Sequence, residues 1–217
     1  MGYFPAFLDI QDKKCVVVGG GDVAAQKIRT LLRCKARVDV IAKNLKPPVR
    51  KLYNRGSIRW ENREFLGKDL KDAFLVIAAT DDPEVNRRVW ETARRYRILV
   101  NVVDDPRHCN FIVPSIFRRG KLQIGISTGG SSPALAKRIR KELGDLFGPE
   151  YAIALDWMGR ARKEVFKRVP THTLRKALFS QLANTDIPGG IKKIGAAAAR
   201  RAFNRYLQDL LVEFEKN

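Results

Sequence analysis

Cysteine and histidine are scarce in this 217-residue chain, and acid is scarce beside base. The three cysteines, Cys15, Cys34 and Cys109, are odd in number and lack C-x-x-C spacing, which argues against a disulfide framework and a thiolate zinc site. The two histidines, His108 and His172, stand far apart and form no H-x-x-x-H or H-E-x-x-H pattern, so no resident metal is expected. His108, close to Asp105, is the one weak candidate for a transient metal ligand. Nowhere do about 18 uncharged apolar residues run together. The start, Met1-Gly2-Tyr3-Phe4-Pro5, has no basic segment followed by a long apolar stretch. A cytoplasmic protein without membrane contact is the expectation.

The shortage of acid leaves 42 Lys and Arg against 23 Asp and Glu, a formal charge of +19 that favours polyanionic partners. Nucleic acid is the usual inference from such a balance. Here the basic residues spread over helix faces, as in Lys137-Arg138-Ile139-Arg140-Lys141, without the interleaved surface aromatics of a stacking platform. No nucleic-acid partner is expected. A solvated basic face and a grip on an anionic small molecule both account for the charge.

What is present is a glycine turn in the right surroundings. The apolar run Cys15-Val16-Val17-Val18 ends in Gly19-Gly20-Gly21-Asp22-Val23-Ala24 and passes into a helical pattern carrying Ile28, Leu31 and Leu32. Gly19, Gly21 and Ala24 satisfy G-x-G-x-x-G/A, a fingerprint for a tight turn, close approach to a pyrophosphate and tight helix packing. A helix opening near Asp22 would aim free N–H groups and a positive dipole end at phosphates. A bound dinucleotide is the expected cofactor.

Short β-branched runs alternate with helical patterns through the first hundred residues, which predicts a Rossmann-type α/β fold with a parallel sheet. Phe111–Phe117 and Leu122–Ser127 flank Arg118-Arg119-Gly120-Lys121, a hairpin signal expected to add antiparallel strands at the sheet edge. Ser132 and Pro133 read as N-cap and first residue of a helix, and everything past Gly148-Pro149 reads as helical, with a connector over 184–190. Three regions are expected: a nucleotide-binding domain (1–110), a hairpin and helix (111–148), and a C-terminal helical domain (149–217).

Ligands of doubly wound sheets lie outside the carboxyl ends of the strands. After the second strand stand Lys43 and Asn44, where an Asp or Glu commonly holds the ribose; Lys43 would favour a 2′-phosphate and hence NADP, or Asn44 would bond the ribose directly. Asp39 lies mid-strand, where pairing with Arg37 is the simpler role. Thr80 follows small residues that would let a ribose approach, and Asp82 before Pro83 reads as a helix cap. Asp104 emerges after the last parallel strand, placed either as a general base or, with Asp105, in an Asx turn before Pro106.

Taken together, Tyr3–Asp9, Val16–Ala24, Ala78–Asp82, Val85-Asn86, Asn101–Asp104, Phe111–Ser115 and Thr128–Ala136 resemble the precorrin-2 dehydrogenase and sirohydrochlorin ferrochelatase family of siroheme biosynthesis. The resemblance implies NAD-dependent oxidation of precorrin-2, an anionic tetrapyrrole, often followed by Fe²⁺ insertion. It further implies Asp104 as catalytic base, Asn101, Ser127 and Thr128 beside the substrate, and a homodimer built on about 111–147. The basic helical domain would close over the eight-carboxylate macrocycle. Thr128 stands where the family often has Ser. The rival reading is an NAD-binding regulatory module without catalysis, which leaves Asp104 and the basic half without a purpose.

Overall fold

The structure, a computed structural model, describes residues 2–215 and falls into two compact units, one ending at Val113 and the other starting at Pro114. The first unit holds five parallel strands in the order β3-β2-β1-β4-β5: β1 (Lys14–Val18), β2 (Arg37–Ile41), β3 (Arg59–Glu61), β4 (Leu75–Ala78) and β5 (Leu99–Val102). Helices α1 (Asp22–Arg33), α2 (Pro47–Asn54) and α3 (Pro83–Tyr96) connect them. Both faces of β1 are covered, and period-two alternation explains why it is apolar from Cys15 to Val18. Cys15 and Val17 pack with Ala24, Ala25 and Ile28 of α1, while Val16 and Val18 face the other side with Val89 and Ala93 of α3.

The second unit contains β6 (Ser115–Arg119), β7 (Leu122–Ile126), α4 (Pro133–Leu146), α5 (Glu150–Arg168), α6 (His172–Asn184) and α7 (Ile187–Glu215). Three expectations need correction here. The hairpin β6-β7 does not extend the parallel sheet; it forms its own two-stranded antiparallel sheet, backed by α4 and α5. The connector expected through residue 190 ends sooner, because the Asp186 carboxylate accepts from Gly189 N at 2.9 Å and Pro188 fits a first helical turn, where no N–H partner is needed. The chain instead breaks its helical geometry at Gly195, whose φ of 77° suits glycine. Aromatics also do pair with base at several places, among them Arg50 over Trp60 and Arg94 over Trp90, and they interleave in the helical part. Arg162 lies over Phe166 and Phe179, and Arg175 over Phe166.

A separate core fills the helical part, where Trp157 stacks on Phe203 and Val165, Leu178 and Leu211 are fully buried. Ser132 caps α4 as expected, its Oγ accepting from Leu135 N at 3.2 Å ahead of Pro133. Among the described residues no helix is long and apolar enough to cross a membrane.

Candidate nucleotide-binding site

Parallel register brings the strand ends level. Val18 pairs with Ile41 on one side and Ala78 on the other, Ile41 with Glu61, and Ala78 with Val102. The loops that follow therefore share one edge, and the strand order reverses between β1 and β4, where such sheets bind ligands. The three glycines at that point differ in purpose. Gly19 has φ of 124°, and a Cβ there would lie 2.1 Å from the Ala79 carbonyl oxygen. At Gly20 a Cβ would come equally close, 2.1 Å, to the carbonyl oxygen of Asn44. Gly21, at the N-cap of α1, would meet nothing within 4 Å. The fold itself demands the first two; the third leaves the helix N-terminus open for a phosphate.

A cleft of about 650 Å³ spans this edge, lined by residues 18–23, 41–46, 63–65 and 79–82 with Glu84, Val85 and Arg88. It gathers the expected cofactor residues Gly19, Gly20, Gly21, Asp22, Val23, Lys43, Asn44 and Thr80. A nucleotide fits this lining: an uncapped helix N-terminus, a side-chain-free turn and cations on the rim. Lys46 Nζ pairs with Asp22 at 2.8 Å and Lys43 Nζ with Glu64 at 2.7 Å. The Lys43 hydrogen bond holds the Glu64 carboxyl below, and Glu64 holds the Lys43 ammonium above, their ordinary ranges.

Asp82 caps α3, accepting from Glu84 N at 2.9 Å and Val85 N at 3.2 Å. The Thr80 hydroxyl bonds Asn86 Oδ1 at 2.9 Å, and Asn86 Nδ2 returns a bond to Thr80 O at 3.0 Å, so α3 fixes this loop. Asp39 does not pair with Arg37; it lies 4.0 Å from Lys14 of β1, diagonally from its register partner Val16, and Arg37 Nε donates to Asp12 O.

Beyond β5 the chain turns at Asp104, an exposed residue with φ of 61° that does not line the cleft. Asp105, and not Asp104, makes the Asx turn, accepting from Arg107 N at 3.3 Å and meeting His108 Nδ1 at 2.5 Å. The Cys109 thiol donates toward Val102 O at 3.2 Å and its sulfur accepts from Val102 N. Asn101, expected beside a substrate, is instead buried, its Nδ2 donating to Phe111 O at 3.1 Å and anchoring the loop. Lys27 on α1 is a residue the sequence reading passed over: burial lowers its ammonium pKa, while the charges of Asp104 and Cys109 raise it.

Ser127 and Thr128 lie in the second unit. Ser127 Oγ accepts from Gly129 N at 3.2 Å and Thr128 Oγ1 from Ser132 N at 3.1 Å, which shapes the loop into α4. Among the described residues no group of three or more His, Cys, Asp and Glu is placed to hold a metal ion.

A glycine turn at the switch point of a parallel sheet defines a Rossmann-type nucleotide-binding protein. Residues 6–115 match the family model described as "Putative NAD(P)-binding", and the chain belongs to that family. Residues 119–146 match a second model, described as the sirohaem biosynthesis protein central region. The chain is 36% identical over 201 residues to a siroheme synthase of Mannheimia succiniciproducens, and 38% identical over 201 residues to one of Actinobacillus succinogenes. Each alignment takes in 93% of this chain and 42% of the relative, so the chain spans less than half of those proteins. In fold it is similar to "SirC, precorrin-2 dehydrogenase", with a TM-score of 0.77 at 24% identity, over 95% of this chain and all of that one.

Proposed function

We propose that the chain oxidises precorrin-2 to sirohydrochlorin with NAD⁺. The observation that carries this reading is that one sheet edge bears both an open phosphate-binding turn after β1 and an exposed carboxylate, Asp104, after β5. The similarity to siroheme synthases over nearly the whole chain supplies the substrate. A dinucleotide held in the cleft would supply the acceptor for the hydride that the macrocycle loses. Asp104 accepts the accompanying proton, and Asn101 serves it indirectly by holding the loop. Gly21 and the α1 N-terminus hold the pyrophosphate, while Asn44 and Thr80 flank the ribose positions.

Fe²⁺ insertion belongs to the same reading as a second reaction, in which the two pyrrole N–H protons leave and Asp104 is again the acceptor. Ser127 and Thr128 are assigned to the substrate by motif. A homodimer through β6, β7 and α4 is supported by the exposed Leu135 and Leu146 of α4, 38% and 62% exposed. A cytoplasmic setting completes it. The test is an anaerobic absorbance assay with enzymatically generated precorrin-2, NAD⁺ or NADP⁺, and then Fe²⁺. Sirohydrochlorin forming only with a dinucleotide supports the dehydrogenase, and metal insertion faster than the protein-free rate supports the chelatase. No dinucleotide-dependent change leaves the regulatory module as the reading.

A further inference from the structure

The end of β2 is where Rossmann-type sites place the acid that holds the adenine ribose, and this chain carries Lys43 and Asn44 there. The fold brings a carboxylate to that position from elsewhere. β3 pairs with β2 through Ile41 and Glu61, and Ala42 N donates to Glu61 O, so the two chains leave the sheet side by side. Glu64 Oε1 then meets Lys43 Nζ at 2.7 Å, with both side chains well exposed on the cleft wall.

The segment bearing Glu64 is fastened on both sides. Arg63 forks onto Asp69 at 2.9 and 2.7 Å, and Arg88 Nη2 donates to Phe65 O at 2.9 Å. Side-chain fastening of its neighbours keeps the Glu64 backbone in place, so its carboxylate is presented at the β2 end and not left to wander with a free loop.

We infer that Glu64 determines the choice of dinucleotide: it is the acid of the ribose site, and through Lys43 it selects against a 2′-phosphate. The inference rests on the nucleotide reading above and deepens it. Lys43 alone would attract a phosphate. Paired with Glu64 it is neutralised, as Lys46 is by Asp22. A 2′-phosphate entering here must either strip Lys43 from Glu64 or sit against an ionised carboxylate, and like charges in contact repel strongly. A 2′-hydroxyl has the opposite relation, because it donates a hydrogen bond to the same carboxylate.

Equilibrium calorimetry of the full chain with NAD⁺ and NADP⁺, and with AMP and adenosine 2′,5′-bisphosphate as half-molecule probes, tests this without turnover. Wild type is expected to prefer NAD⁺. Glu64→Gln, isosteric and exposed, is expected to shift the NADP⁺ to NAD⁺ affinity ratio toward NADP⁺ at least about tenfold, with the half-molecules following. Lys43→Gln is expected to shift the ratio the other way, since Glu64 is then uncompensated. An unchanged ratio in Glu64→Gln with a native melting curve, or a wild type that prefers NADP⁺, overturns the inference and leaves the nucleotide reading standing. A wild type that binds neither dinucleotide overturns both.

Discussion

A Cβ on Gly19 would lie 2.1 Å from the carbonyl oxygen of Ala79, so the turns leaving β1 and β4 touch backbone to backbone at the switch point of the sheet. Gly21, two residues on, faces open space. Substitution at the two positions is therefore expected to separate stability from binding. Gly19→Ala combines a clash with positive φ and is expected to cost about 2–4 kcal/mol. Gly21→Ala loses only cap preference, about 0.5–1 kcal/mol, but places a methyl where the pyrophosphate must approach and is expected to weaken NAD⁺ binding. Melting curves and dinucleotide titrations of both variants check the pair; equal binding losses with equal melting shifts would contradict it.

Asp69 is the buried acid of the first unit, and burial alone would raise its pKa. The fork from Arg63 and a 2.8 Å bond from Leu66 N outweigh that and hold it below the ordinary value. A depressed acid stabilises the fold fully above its unfolded pKa, about 3.9, and loses that contribution as pH falls through the folded value. Asp69→Asn is expected to cost about 2–3 kcal/mol at pH 7. The gap to wild type should close as the pH is lowered through the acid range, as read from urea unfolding midpoints. A gap that stays constant with pH would assign the cost to packing.

Thiol reactivity should follow position in the fold. Burial pushes the Cys15 thiol up to about 12, and burial also raises Cys109, whose sulfur is bonded to Val102. Cys34, at the C-cap of α1, is partly exposed. A disulfide reagent at pH 8 is expected to modify Cys34 first, Cys109 more slowly and Cys15 only on unfolding, which mass mapping of partly reacted protein would show.

Local chemistry made much of this molecule legible. Strands β1 and β4 are apolar on both faces because both are covered, and the turn at Gly19 and the caps at Asp82 and Ser132 are read from neighbours in sequence. What escaped depends on register. Glu64 reaches the β2 end only because a three-residue strand, β3, lies parallel to β2. Asn101 points inward to Phe111, and Asp39 meets Lys14, through contacts that no local pattern encodes. The hairpin was legible as a hairpin, but its lack of any parallel-sheet partner was not, since edge pairing leaves no mark on the strand itself.

The decisive substitution for the proposed chemistry is Asp104→Asn. The position has φ of 61°, a region Asn occupies as readily as Asp, so the turn survives the change. The loop is pinned independently by Asn101 to Phe111, by Cys109 to Val102 and by Asp105 with His108, none of which uses the Asp104 side chain. Asp104 also lies outside the lining of the nucleotide cleft. Stability and NAD⁺ affinity are therefore expected to stay near wild type, while precorrin-2 oxidation falls about a hundredfold or more with loss of the base. Asn101→Ala is the contrast. It removes the anchor and leaves the carboxylate, so it is expected to lower the melting temperature and reduce turnover only in part. If Asp104→Asn turns over normally, the proton acceptor is another group; if it loses NAD⁺ binding as well, the carboxylate acts on the cofactor and not on the macrocycle.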